Sequence, residues 1–191
     1  MKKHIDVADY FSFFNVLFGF MAIVMRDPRY LFLAALMDGF DGYLARKGYS
    51  GKYGKYVDSL ADFASFGVAT AFFFPTFSLA YLLAGMYRLA RFTAEHHENF
   101  VGFPITSASL LVISTRILAG DLIAGIVSVA IAFFMISDIE YRKLRNPVLL
   151  LIFAACLVGG LFRIEFVYAI LLLSTLYLLS PPFSRKLGKY F

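Results

Sequence analysis

Four aspartates stand in two neighbouring apolar stretches of this chain: Asp38 and Asp41, three residues apart, and Asp58 and Asp62, four apart. At those spacings helical residues share a face, so each pair presents two carboxylates to one side of its helix. The connection over 47–53 is short, which makes the two helices antiparallel neighbours and lets both pairs look into one space. An aspartate in mid-membrane costs roughly 2.5–3.5 kcal/mol on insertion scales. Two carboxylates about 6 Å apart add roughly 3 kcal/mol of repulsion at an effective dielectric near 20. Only Arg46 and Lys55 flank the cluster closely, so side chains alone leave it under-neutralised. Divalent cations answer that need, because hard oxygen ligands suit Mg²⁺ or Mn²⁺. Two such ions held by four carboxylates are a device for displacement at phosphorus. Gly42 and Ala45 leave room for a bulky ligand against the helix, and Arg46 can fork onto a phosphate. The competing reading is an intramembrane salt-bridge network, or the ion path of a cation transporter or channel.

The elements that must position these groups are membrane helices. The chain has 191 residues, 60% of them hydrophobic, with a mean hydropathy of +0.74. That is too apolar for a soluble domain of this length, so lipid is the expected solvent. Phe (23) and Tyr (12) are abundant, and the one cysteine, Cys156, excludes both a disulfide framework and a cysteine-based metal site. With roughly 20 apolar residues needed per crossing, breaks at charged, Pro or Gly positions predict eight spans. They fall near 10–26, 29–47, 54–75, 77–95, 104–119, 121–138, 147–162 and 165–182. No stretch alternates in polarity as a membrane strand would. The N-terminal Lys2-Lys3 and the apolar run from Tyr10 to Met25 read as a first span rather than a signal peptide, because further spans follow at once. We expect one domain over residues 1–191, with no repeat or low-complexity linker.

The basic residues test that span count. With a cytoplasmic N-terminus, the inner segments hold Lys2, Lys3, Arg46, Lys47, Lys52, Lys55, Arg88, Arg91, Arg142, Lys143, Arg145, Arg185, Lys186 and Lys189. The outer turns hold only Arg26, Arg29, Arg116 and Arg163. This asymmetry predicts cytoplasmic termini and an active site at the cytoplasmic ends of the second and third helices. It also gives the net charge of +5 a membrane meaning rather than a nucleic-acid one.

The pattern Asp38-x-x-Asp41-Gly42-x-x-Ala45-Arg46, followed by Gly54-x-x-x-Asp58-x-x-x-Asp62, resembles the signature of the CDP-alcohol phosphotransferase family. Gly85 through Phe92, Phe100 through Pro104 and Met135 through Tyr141 resemble its phosphatidylserine synthase branch, archaeal members in particular. Thr106 stands where that branch tends to have a second proline after Pro104. The resemblance implies that Asp38, Asp41, Asp58 and Asp62 bind two divalent cations, which hold the diphosphate of a CDP-lipid. It further implies that Asp62 is the general base toward the acceptor hydroxyl, and that Gly42, Ala45 and Arg46 contact the cytidine nucleotide, with Ser50 a further candidate. It implies a homodimer open sideways to the cytoplasmic leaflet.

The reaction so implied is attack of a serine hydroxyl on the lipid-bearing phosphorus with loss of CMP; glycerol phosphate and inositol phosphate are the alternative acceptors. A serine hydroxyl needs a positioned base near neutral pH, and no residue suggests a covalent intermediate. Arg88 and Arg91 are candidates to hold the serine carboxylate, or are ordinary flanking charges. Asn15, inside the first span, either contacts nucleotide, as its counterpart does in the family, or packs helices together. Asp6 and Asp9 read as interfacial or capping residues, His96 and His97 as a solvated turn, and 138–145 as a charged cytoplasmic turn, with Ile136-Ser137-Asp138 lining the acceptor site as the alternative.

Overall fold

A computed structural model describes residues 4–94, 99–143 and 146–181. Lys2, Lys3, His96, His97, Arg145, Arg185, Lys186 and Lys189, used above, lie outside the described residues.

Among the described residues the chain forms eight helical rods. They are α1 (Val7–Met25), α2 (Tyr30–Arg46), a composite third rod, α5 (Ser78–Ala94), α6 (Ile105–Ala119), α7 (Asp121–Ile136), α8 (Pro147–Gly159) and α9 (Ile164–Leu178). The third rod runs from α3 (Gly54–Asp62) through a π-helical segment (Phe63–Ala69) into the short α4 (Thr70–Phe72). Each rod coincides with one stretch expected from hydropathy, to within a few residues at either end.

Local chemistry accounts for the boundaries. Asp6 caps α1 and Asp9 returns the bond to the Asp6 backbone at 2.9 Å, a reciprocal box that satisfies the first N–H groups. The capping role expected of these two acids is therefore seen. Asn146 accepts from the Val148 N–H at 2.9 Å with Pro147 opening α8, where its missing N–H costs nothing. One feature was not expected. Phe100–Val101 (β1) pairs antiparallel with Glu140–Tyr141 (β2), clasping the α5–α6 connection to the α7–α8 connection. Two residues per strand leave no periodicity to read.

Large apolar side chains such as Phe32, Phe66, Phe74, Ile105 and Leu110 fill the centre, but on α1 the packing is inverted relative to a water-soluble bundle. α1 buries Ala8, Asp9, Ser12, Asn15, Gly19 and Ala22, and exposes Phe13, Phe14, Leu17, Phe20 and Val24. Lipid gives apolar helices no reason to associate, so interfaces rely on small residues and polar bonds. At Gly19 a Cβ would stand 2.8 Å from the Ser65 Cα, so glycine lets α1 lie directly on the π segment. α6 is the central rod, buried around most of its circumference and packed against α7, α9, α2 and the π segment. α1 is long and apolar enough to cross a membrane; α6, α7, α8 and α9 are apolar and shorter.

Candidate active site

The site forms where α2, α3, α1, α5 and α6 converge. One carboxylate oxygen from each of Asp38, Asp58 and Asp62 falls within 4.8 Å of the others. Asp38 comes from α2, while Asp58 and Asp62 lie one turn apart on α3, the second at its last residue. At that separation each ionised pair repels by about 3.5 kcal/mol at an effective dielectric near 20. Three hard oxygens so close make a donor set suited to a divalent cation of the Mg²⁺ type. The residues present therefore fit a metal ion.

Asp41 stands slightly apart. It is buried, 4% exposed, takes a hydrogen bond from the Ser12 hydroxyl, and lies within hydrogen-bonding reach of Asp58. It adjoins the three converging oxygens without belonging to them.

Neutral donors from other helices hold three of the four carboxylates. Ser12 Oγ donates to Asp41, Asn15 Nδ2 donates to Asp62 Oδ1 at 3.1 Å, and Thr106 Oγ1 donates to Asp38 Oδ2 at 2.9 Å. Ser12 and Asn15 are three apart on α1 and so reach the site from one face. Asn15 Oδ1 remains buried without a partner among the described residues.

The expected nucleotide residues line the same end. Gly42 and Ala45 are half-buried, and Arg46 is exposed with its guanidinium folded back over Gly42. Ser50 sits in the α2–α3 connection. A Cβ on Gly54 would collide with the Ser50 hydroxyl and come 2.7 Å from Asp9 Oδ1. That glycine thus admits the buried N-terminus of α1 against the start of α3. Lys55 turns away from the acids and donates to the Thr93 carbonyl at 2.8 Å on α5.

Arg88 and Arg91 part company. Arg88 is 3% exposed, close enough to Asp38, Asp58 and Asp62 to interact with each, and stacked near Phe92 and Phe100. Its Nε has no partner among the described residues. Arg91 braces the α7–α8 connection, donating to Asp138 Oδ1 and the Ser137 carbonyl at 2.9 Å each, while its Nε, like that of Arg88, has no partner among the described residues. That bond places Asp138 in a charged turn, as expected. Below Arg88 lies an aromatic group, Phe103, Tyr141 and Tyr177, in which burial pushes the Tyr141 phenol up to about 12.

The π segment begins immediately after Asp62. Widened turns of this kind free backbone carbonyls and recur at functional sites. Here the Ser65 carbonyl accepts from Thr70 Oγ1 at 3.3 Å, and the Phe66 carbonyl accepts from the buried Tyr81 hydroxyl at 2.8 Å. Ser65 Oγ also donates to the Asn15 carbonyl at 2.9 Å. The backbone carrying Asp62 is thereby tied to the helix carrying its hydrogen-bond donor. Sequence reasoning missed Ser12 and this widened turn; the only available hint was a polar residue three before Asn15.

Residues 7–137 match the model of the family described as CDP-alcohol phosphatidyltransferase, more than half of the chain. The chain is 34% identical over 168 residues to the CDP-diacylglycerol--serine O-phosphatidyltransferase of Methanocaldococcus jannaschii, covering 82% of this chain and 84% of that protein. It is 32% identical over 171 residues to the archaetidylserine synthase of Methanothermobacter thermautotrophicus, covering 75% and 72%. A Bacillus subtilis CDP-diacylglycerol--serine O-phosphatidyltransferase is 28% identical over 132 residues, or 61% of this chain and 75% of that one.

Proposed function

The chain belongs to the CDP-alcohol phosphatidyltransferase family, and on that premise we propose that it transfers a lipid-phosphate group from a CDP-activated lipid to L-serine, releasing CMP. The observation that carries this reading is the convergence of Asp38, Asp58 and Asp62 within 4.8 Å, with Arg88 buried beside them. The names of the relatives point to serine as the acceptor.

Asp38, Asp58 and Asp62, with Asp41 adjoining, would hold divalent cations, two of Mg²⁺ or Mn²⁺. Bound there, these supply charge neutralisation for the diphosphate and for the departing CMP. The remaining steps fall to the protein. Asp62 takes the proton of the serine hydroxyl as that oxygen bonds to the lipid-bearing phosphorus and the bond to CMP breaks. Asn15 holds one oxygen of Asp62 by donating to it, which turns the other toward the cation and the serine hydroxyl, and its side-chain Oδ1, without a partner among the described residues, is available to a nucleotide amino group. Gly42, Ala45, Arg46 and Ser50 form the nucleotide wall. Arg88 meets the serine carboxylate, and Arg91 shapes that side through Ser137 and Asp138. A buried cation next to three acids and an unoccupied donor together support an anionic acceptor group at Arg88.

The same reading makes residues 1–191 one multi-pass membrane domain, with cytoplasmic termini, the acids at the cytoplasmic surface, and a homodimer as its assembly. Helices shorter than the hydrocarbon core can be accommodated by local thinning of the bilayer. The test is CMP release by purified protein given CDP-lipid and Mn²⁺ or Mg²⁺, with serine, glycerol phosphate and inositol phosphate offered in turn. CMP with serine alone is expected. CMP with another alcohol instead would move the acceptor, and no CMP with any would favour a cation transporter or channel.

A further inference from the structure

Thr106 occupies the first turn of the central helix α6, and its hydroxyl donates to Asp38 Oδ2 at 2.9 Å across 68 residues of sequence. We propose that Thr106 is a positioning residue for the metal site, fixing which face of the Asp38 carboxylate is turned toward Asp58 and Asp62. The inference rests on the metal-dependent reading above and deepens it.

Three observations converge on this role. Asp38 supplies one of the three oxygens that approach within 4.8 Å, so a rotation of its carboxylate would open the set. Asp41 and Asp62 are held from α1, by Ser12 and Asn15, whereas the hydroxyl on Asp38 comes from α6. α6 begins at Ile105 after an N-cap proline, Pro104, that supplies no side-chain cap, so its N-terminal dipole also favours a carboxylate lying against the first turn. A hydroxyl that occupies one lone pair of Oδ2 leaves the Oδ1 side to a cation, and it raises the order of the ligand before any ion arrives. Partners of this kind are typically worth about 10- to 100-fold in metal affinity. Because α6 follows directly from the Gly102–Pro104 turn, the bond also ties the metal ligand to the segment clasped by the β1–β2 pair.

The experiment measures Mn²⁺ binding to the purified full-length protein in detergent, by calorimetry and by the electron paramagnetic resonance of free Mn²⁺, alongside steady-state kinetics. Thr106→Val removes the hydroxyl at nearly constant shape, Thr106→Ala removes it without β-branching, and Thr106→Ser restores it. Thr106→Val and Thr106→Ala are expected to weaken Mn²⁺ by about 10- to 100-fold, with excess Mn²⁺ recovering most of kcat and the KM for serine unmoved. Thr106→Ser is expected to stay within about threefold of the natural protein. Unchanged Mn²⁺ affinity in Thr106→Val would overturn the proposal, as would a Thr106→Ser variant as weak as Thr106→Val, which would mean packing alone. If the natural protein itself bound no Mn²⁺, the metal reading would fall first, and the two failures are thereby told apart.

Discussion

α1 and α8 are both strongly apolar helices that expose large side chains, yet their buried faces differ. α1 turns Phe13, Phe14, Leu17 and Phe20 outward and buries Ser12, Asn15, Gly19 and their neighbours against α2, α3 and the π segment. α8 turns Val148, Leu149, Leu151 and Ile152 outward and buries only Cys156 and Leu157. Hydrophobicity reports the solvent of each helix; it is high in both and higher in α8. Small and polar residues on the inner face report which helix has a demanding partner, and in α1 that partner is the acid cluster.

The comparison can be broken most severely at the acids that α1 serves. Asp62→Asn keeps the shape and removes the base, so CMP release should fall by about 10²- to 10⁴-fold; a rate near normal would remove Asp62 from that role. Asn15→Leu, which strips the donor from Asp62, should cost less, about 10-fold in kcat, measured on the same assay. Gly19→Val forces a side chain into Ser65 and should destabilise the protein by about 1–3 kcal/mol. Thermal unfolding in detergent would register this, and no change would mean that α1 does not lie tightly on the π segment. On α8, Leu151→Ala should shift stability by less than about 0.5 kcal/mol, as expected for an outward position. If Leu151→Ala proved as costly as Gly19→Val, the contrast between the two helices would be wrong.

Much of the architecture was legible because it depends on solvent. Apolar helices break at charge, Pro or Gly, and all eight rods follow those breaks, with α1 alone among the described residues long and apolar enough to cross a membrane. The acids were legible because a buried carboxylate is too costly to be incidental, and spacings of three and four fix its face. The bonds that hold them were less so. Ser12 and Thr106 are cheap neutral residues in a helix, and nothing local tells that their partners lie 29 and 68 positions away. The separation of Arg88 from Arg91 escaped for a related reason, because residues on one face can still end on opposite sides of a neighbouring connection. The π segment was invisible because its side-chain pattern is compatible with an α-helix; only its hydrogen-bond register differs.

That register has a genetic reading. A widened turn amounts to an inserted residue in an otherwise regular rod, and each residue turns a helix by about 100°. Deleting one codon between Phe63 and Ala69 would relax the rod to ordinary pitch and keep Asp58 and Asp62 in place. Thr70 would still face Ser109 on α6, a contact now at 2.6 Å, but the Ser65 and Phe66 carbonyls would return to the ordinary ladder and lose their bonds to Thr70 and Tyr81. The insertion thus opens two carbonyls to side chains of the rod itself and of α5 without turning the rest of the rod off its face.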